Sequence, residues 1–222
     1  MIQHHPGEEL LLALAAGRLE SGAALLVDAH IETCEPCRVQ WRHLQSIGGA
    51  LIEETEPALL ETDALSHTLA RIDAREEARP SSGAVQRTVA TPRPALPDGV
   101  KWPRSLRGST VSRWHWMGPG MRWSRIQLPH EPEASIFLLR ISPGRSLPIH
   151  SHSGIEFTQV LCGSFDDGRA VFGPGDFDAA DSGVHHQLIV RNSGDCVCLA
   201  YVSAPLKFDS KLAAFIGRWI GL

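Results

Sequence analysis

No run in this 222-residue chain approaches the ~18 consecutive apolar residues that a membrane-crossing helix needs. No charged-then-apolar leader opens it. Nor is there an excess of basic charge: the formal net charge is −4, which gives no general pull toward nucleic acid or an anionic surface. The five cysteines are an odd number, placed as Cys34 and Cys37, a lone Cys162, and Cys196-Val197-Cys198. That pattern is unlike a secreted disulfide framework. A cytoplasmic protein in a reducing compartment, with no membrane association, is the expectation. No internal repeat is visible, and no strand-rich stretch precedes the Cys-x-x-Cys pair, so a thioredoxin-like setting for it is missing.

What is present begins with His30-Ile-Glu-Thr-Cys34-Glu-Pro-Cys37. His30 and Cys34 are four apart and share one face of a helix. Pro36 is poorly tolerated inside a helix but suits the first position of a new one. The spacing therefore predicts a helix ending near Cys34, a tight bend, and a second helix from Pro36 that carries Cys37 back toward His30 and Cys34. One imidazole and two thiolates are three ligands of a tetrahedral zinc site. A fourth is available from His4 or His5. The competing readings are a redox dithiol and two unrelated buried cysteines.

Around this run the chain reads as helical. Residues 8–27 predict two short helices parted near Gly17, residues 36–54 a longer one, and residues 58–76 another. The last carries Leu59, Leu60, Leu65, Leu69 and Ile72, more apolar surface than so small a unit can bury alone. It packs either on the zinc-pinned hairpin or on a partner protein. Residues 1–80 hold 14 acidic and 6 basic side chains, a balance of −8, against 11 and 15, a balance of +4, in residues 81–222. An acidic helical part suits a basic partner; a solvated acidic surface is the plainer explanation.

Residues 77–99 turn rich in Pro, Ser, Gly and Arg and read as a linker. From Val100 short β-like runs alternate with Gly, Pro and Asp, the pattern of an antiparallel sandwich or barrel. Ser210–Ile220 reads as a short closing helix. The expected architecture is α + β with two domains: residues 1–78 all-α and zinc-binding, 79–99 a linker, and 100–222 an all-β barrel or jelly roll.

The β half holds a second constellation, Gly144-x5-His150-x-His152-x3-Glu156-x6-Gly163. Two apart on a strand, His150 and His152 point the same way, and Glu156 has the same parity. Further on, Gly175-x5-Asp181-x-Gly183 leads to His185-His186, one of which can supply a fourth ligand. Three imidazoles and a carboxylate fit Zn, Fe, Mn, Ni or Cu. Two surface histidines with an accidental glutamate are the alternative.

These two spacings resemble the two cupin motifs, with Asp181 where cupins usually carry Pro and Val190 in place of the final motif Asn. The N-terminal part resembles the zinc-binding anti-sigma domain, whose signature is a distant His followed by His-x-x-x-Cys-x-x-Cys. In order, a short zinc domain, a linker and a cupin, the whole chain resembles the ChrR-type anti-sigma factors. The resemblance takes in the opening His4-His5, the run from His30 to Cys37, the cupin ligands, and the tail from Cys196 to Phe208.

That resemblance implies a zinc held by His5, His30, Cys34 and Cys37. It implies a second divalent metal, Zn or Fe/Mn/Ni, held by His150, His152, Glu156 and His186. It implies a regulator with no catalytic residues that sequesters a group IV, or ECF, sigma factor in a 1:1 complex. It implies no direct DNA binding, and leaves room for weak self-association through the cupin. Leu59, Leu60, Leu65, Leu69 and Ile72 are the expected sigma contacts. The cupin would sense a stress signal, reactive oxygen such as singlet oxygen or an organic peroxide. Cys162, Cys196, Cys198, Met117, Met121, Trp102, Trp114, Trp116 and Trp123 are oxidisable groups near it, although core filling explains most of them.

Two other classes compete. A metal-dependent cupin dioxygenase or isomerase would use the same barrel ligands, but has no need of an acidic zinc hairpin. A DNA-binding zinc protein is disfavoured by the acidic balance and the want of a basic recognition helix.

Overall fold

The computed structural model describes residues 1–77, 93–192 and 194–209. Four helices come first. α1 (Glu8–Ala15) opens on two glutamates, which suit the positive end of the helix dipole, and the chain leaves it through Gly17 at φ 65°. α2 (Ser21–Thr33) is buried on most of its surface, from Gly22 and Ala23 through Leu25, Leu26, Val27, Ala29, His30 and Ile31. α3 (Glu35–Glu53) starts with Pro36 in its first turn, after a single extended residue, Cys34. Cys37 is its one buried residue; Val39, Ile47, Leu51 and Ile52 face solvent. α4 (Ala64–Glu77) buries none of its described residues.

The second helix ends at Thr33, where the spacing of His30 and Cys34 places a helix end, and its buried face runs past Val27 through Ala29, His30 and Ile31. One boundary differs from expectation: the fourth helix begins at Ala64, not at residue 58. Pro57 stands just ahead, and the turn at Thr62-Asp63 supplies the residue types that favour a helix start. Leu59 and Leu60 therefore lie outside the helix. The closing helix expected over Ser210–Ile220 lies outside the described residues, as do residues 78–92 of the expected linker. Residues 93–99 run along the barrel: Trp114 Nε1 donates to the Ala95 carbonyl at 3.0 Å, and Arg93 lies over the Trp102 ring.

Among the described residues thirteen short strands follow. They are β1 (Thr110–Val111), β2 (His115–Gly118), β3 (Met121–Gln127), β4 (Ser135–Ile141), β5 (His150–His152) and β6 (Glu156–Cys162). Then come β7 (Phe165–Asp166), β8 (Val171–Phe172), β9 (Phe177–Ala180), β10 (His185–His186), β11 (Ile189–Val190), β12 (Cys196–Val202) and β13 (Leu206–Phe208). The pairings are all antiparallel. A seven-stranded sheet has the order β1-β3-β4-β12-β6-β9 with β2 on β3; smaller sheets run β10-β5-β13 and β11-β7-β8.

The central strand β12 is buried on both faces, and its alternation shows what each face meets. Cys196, Cys198, Ala200 and Val202 point into the barrel with Phe137, Leu139, Val160 and Phe165. Val197, Leu199 and Tyr201 point outward and join Leu11, Leu25, Leu26 and Val27 in one continuous core. The helical lobe thus sits on the outer face of the large sheet and shares a core with it. Polar ties reinforce the seam: the Glu32 carboxylate accepts from the backbone N–H groups of Arg104 and Ser105 at 2.7 and 2.6 Å, and the Tyr201 hydroxyl bonds Glu20.

Gly22 lies where this seam is tightest, since a Cβ there would drive into the Tyr201 ring. Gly22→Ala gains about 1 kcal/mol of helix propensity, but forcing the ring aside costs about 1–3 kcal/mol. We expect a net loss and a lower melting temperature, and a larger drop for Gly22→Leu. Gly49→Ala, on α3 with open space around it, should instead raise stability by up to about 1 kcal/mol. Thermal melts of the three variants check the contrast.

Candidate metal centres

The first cluster lies where α2 gives way to α3. His30, in the last turn of α2, and Cys34, at the bend, are the i, i+4 pair; the short turn into α3 brings Cys37 alongside. His5 arrives from the opening segment. Its Nδ1 is 3.4 Å from His30 Nε2, 3.4 Å from Cys34 Sγ and 3.4 Å from Cys37 Sγ. Edges of about 3.3–3.8 Å are what a tetrahedron of nitrogen and sulfur ligands around zinc requires. His30, Cys34 and Cys37 are buried and His5 is exposed, so the cluster opens to solvent on one side.

Electrostatics agree with a cation there. Burial holds His30 down at about 4, keeping its imidazole neutral and able to act as a ligand. Burial and the neighbouring Cys34 thiol push Cys37 up to about 12. Two thiolates side by side need a positive ion between them, and a bound metal reverses that penalty by deprotonating its thiol ligands.

His5 and His30 are themselves tied to the barrel. Asp176 Oδ1 accepts from the backbone N–H of Gln3 at 2.6 Å and of His4 at 3.0 Å, and Phe177 N–H donates to the His4 carbonyl at 3.0 Å. Ile2 fits against Gly175, whose φ of 89° and missing side chain make room for it. His30 Nδ1 is 3.2 Å from Gln159 Oε1 on β6.

The second cluster is inside the barrel. His150 and His152 project inward from β5, and β10 pairs with β5 so that His186 stands opposite His150. Glu156 opens β6. His186 Nε2 is 3.2 Å from both His150 Nε2 and His152 Nε2. Glu156 Oε2 is 3.6 Å from His150 Nε2, 3.3 Å from His152 Nδ1 and 3.8 Å from His186 Nε2. These spacings surround a point that a divalent ion would fill.

Glu156 Oε2 and His152 Nδ1 are buried without a hydrogen-bond partner. Such orphaned donors and acceptors are costly unless something completes them, and a metal does so. Burial works against the Glu156 carboxylate, but the surrounding His150, His186 and His152 rings hold it down at about 2. The site therefore keeps an anionic oxygen among imidazoles.

Outer contacts aim two of the rings. His150 Nδ1 lies 2.9 Å from the Pro148 carbonyl, and His186 Nδ1 lies 3.4 Å from Asp167 Oδ2, leaving both Nε2 atoms toward the centre. Asp167 is fixed by Arg169, whose Nε donates to it at 2.7 Å while Nη2 donates to Asp178 at 2.9 Å. Burial pushes Asp178 up to about 6. Asp167, Asp178 and His186 also lie within ligand distance of one another; the Arg169 guanidinium already occupies both carboxylates, and Asp167 braces His186.

All eight predicted ligands are thus brought into two groups of four, with His186 chosen over His185. His185 is exposed and lies 3.0 Å from Asp209. Sequence reasoning missed Gln159, Asp167 and Asp176. Gln159 had one signal, a polar residue of the outward parity in the apolar run from Phe157 to Leu161. The groups offered as oxidisable divide by burial. Met117, Cys196 and Cys198 are buried and Trp116 is exposed. Cys196 Sγ and Cys198 Sγ are 3.6 Å apart; that contact and burial push the Cys198 thiol well up, so it stays neutral.

Among the described residues no helix is long and apolar enough to cross a membrane. Residues 105–204 match the family described as the ChrR cupin-like domain. The anti-sigma-E factor ChrR of Cereibacter sphaeroides is 37% identical over 215 residues, covering 97% of this chain and 96% of that protein. A chain in the crystal structure of Rhodobacter sphaeroides SigE in complex with the anti-sigma ChrR superposes with a TM-score of 0.68 at 32% identity. The match covers 91% of this chain and 100% of that one.

Proposed function

This chain belongs to the ChrR family of anti-sigma factors, and from that premise we propose that its helical lobe captures an ECF sigma factor in a 1:1 complex while its barrel governs release. The observation that carries the reading is the outer surface of the lobe. α3 and α4 present Val39, Ile47, Leu51, Ile52, Leu65, Leu69 and Ile72 to solvent, although most of α2 is buried. Apolar side chains left uncovered beside a pinned hairpin suit a partner that closes over them. The acidic balance of residues 1–80 suits a sigma factor, which carries basic DNA-binding surface.

In this reading His5, His30, Cys34 and Cys37 hold zinc, which supplies no reaction and serves as a staple between α2, α3 and the opening segment. His150, His152, Glu156 and His186 hold a second divalent metal, Zn or Fe/Mn/Ni, in the barrel. Three imidazoles and one carboxylate leave coordination positions free, and there a reactive oxygen species would be sensed. Residues 1–78 form the capture unit, 79–99 the connection and 100–222 the sensor. The protein works in the cytoplasm, where its sigma factor would otherwise reach RNA polymerase, and does not itself bind DNA. Co-expression with an ECF sigma factor of the same organism tests this: co-purification at 1:1 supports it, and recovery of the chain alone refutes it.

The division of labour gives a separate expectation. His150→Ala/His152→Ala should lose one metal equivalent and leave Glu156 buried with a single imidazole beside it, lowering the melting temperature. Sigma capture should stay within about threefold, a difference under about 0.7 kcal/mol. Elemental analysis and a binding titration on the same sample read both quantities. Loss of capture in that variant would contradict the separation of roles.

A further inference from the structure

Strand β6 touches both clusters from opposite faces. Glu156 points into the barrel among His150, His152 and His186. Three residues on, with opposite parity, Gln159 points outward and its Oε1 lies 3.2 Å from His30 Nδ1. Gln159 is only 2% exposed and His30 is fully buried, so no water competes for this contact. The amide has one sensible orientation, because its Nε2 donates to the Val160 carbonyl at 3.3 Å, which leaves the oxygen for His30. An oxygen there accepts only if Nδ1 carries the proton. His30 Nε2 is then the lone-pair nitrogen, and it is the atom that faces His5 in the cluster. Phe177, paired with Gln159 across β6 and β9, sets its ring edge-on to His30 and limits rotation about the same axis.

We infer that Gln159, a barrel residue, is a positioning residue for the lobe's metal cluster: it fixes the tautomer and ring direction of His30, making strand β6 a direct mechanical link between the two clusters. The inference rests on the reading of His5, His30, Cys34 and Cys37 as a metal site. A carboxylate or amide oxygen behind a ligating histidine usually makes a 10–100-fold difference in metal affinity. Here that oxygen lies in the other half of the molecule, 129 residues along the chain. Any displacement of Glu156 along β6 has only three residues to travel before it reaches the acceptor behind His30.

The test uses the full chain loaded with cobalt(II) alone. Thiolate-to-cobalt charge-transfer absorption reports the Cys34/Cys37 cluster and is silent for the barrel cluster, which has no sulfur ligand. Gln159→Leu should weaken cobalt at that cluster by about 10–100-fold in competition with a chelator. Gln159→Glu keeps an acceptor and should stay within about threefold of wild type. Ring-nitrogen NMR of the wild type, with zinc bound, should show His30 protonated at Nδ1 and ligating through Nε2, which needs no variant to fold. Charge transfer in the wild type with unchanged affinity in Gln159→Leu, or His30 ligating through Nδ1, overturns the inference and leaves the metal site standing. A wild-type chain without the charge-transfer band overturns both.

Discussion

Cys34→Ala/Cys37→Ala is expected to unfasten α3 and to abolish capture of the sigma factor, while the barrel and α2 stay folded. Within the lobe the helices are held in different ways. α2 is wedged against the large sheet by Leu25, Leu26, Val27 and Ile31, all in the core that it shares with β12 and β6. α3 has Cys37 alone fully buried, supported by the half-buried Trp41 and Leu44. Structural zinc contributes on the order of 10–16 kcal/mol in small zinc domains, and two half-buried side chains cannot replace that. Hydrogen exchange should show the split: amides of residues 35–53 lose protection in the double variant or under a strong chelator, and those of residues 21–33 keep it. Capture should fall at least about 100-fold, or about 2.7 kcal/mol. Protection across α3 and capture both persisting would remove zinc from the account.

Leu65→Asp/Leu69→Asp/Ile72→Asp should have a comparable effect on capture by another route, with no effect on metal content. These side chains are 72%, 51% and 52% exposed. Exposed substitutions usually change folding stability by no more than about 0.5 kcal/mol each. Apolar anchors at a protein interface cost about 2 kcal/mol or more each when lost. Three of them, replaced by charges that must be desolvated, should weaken capture at least about 1,000-fold. Deleting residues 58–76 should go further, abolishing capture with the first cluster still loaded. Leu59 and Leu60 lie outside α4 at 102% and 82% exposure, so Leu59→Asp/Leu60→Asp shows whether the segment before the helix also touches the partner. A calorimetric titration of the sigma factor, beside metal analysis and a thermal melt, reads all of these. Full capture by the triple variant would leave α4 without a role.

The grouping of the candidate ligands was legible in the sequence because local rules place them. Spacing of four on a helix, a proline one step past the bend, and spacing of two on a strand each put side chains together with no knowledge of the rest of the fold. The supporting residues were hidden for the opposite reason. Gln159 reaches His30, and Asp176 holds Gln3 and His4, only because the lobe sits on the outer face of the large sheet. Nothing in residues 156–162 alone says that a helix covers that face. Which of His185 and His186 faces the barrel cluster depends on the register of β10 against β5, which spacing leaves open by one residue; the pairing of His186 with His150 turns His186 inward. The start of α4 was misplaced because apolar periodicity there describes a surface, where no packing enforces the boundary.

The stitching of His4 to Asp176 and Phe177 bears on how the protein is made. His5 of the first cluster is made well before the groups that hold its segment in place, which come some 170 residues later. At bacterial synthesis rates of about 5–20 residues per second, that is a wait on the order of 10–30 seconds. Through that interval the nascent helices have no barrel wall to lean on and His5 has no backbone tether. A newly made chain therefore completes the tether beside His5 only once β9 has been translated, and a product truncated before that strand lacks it.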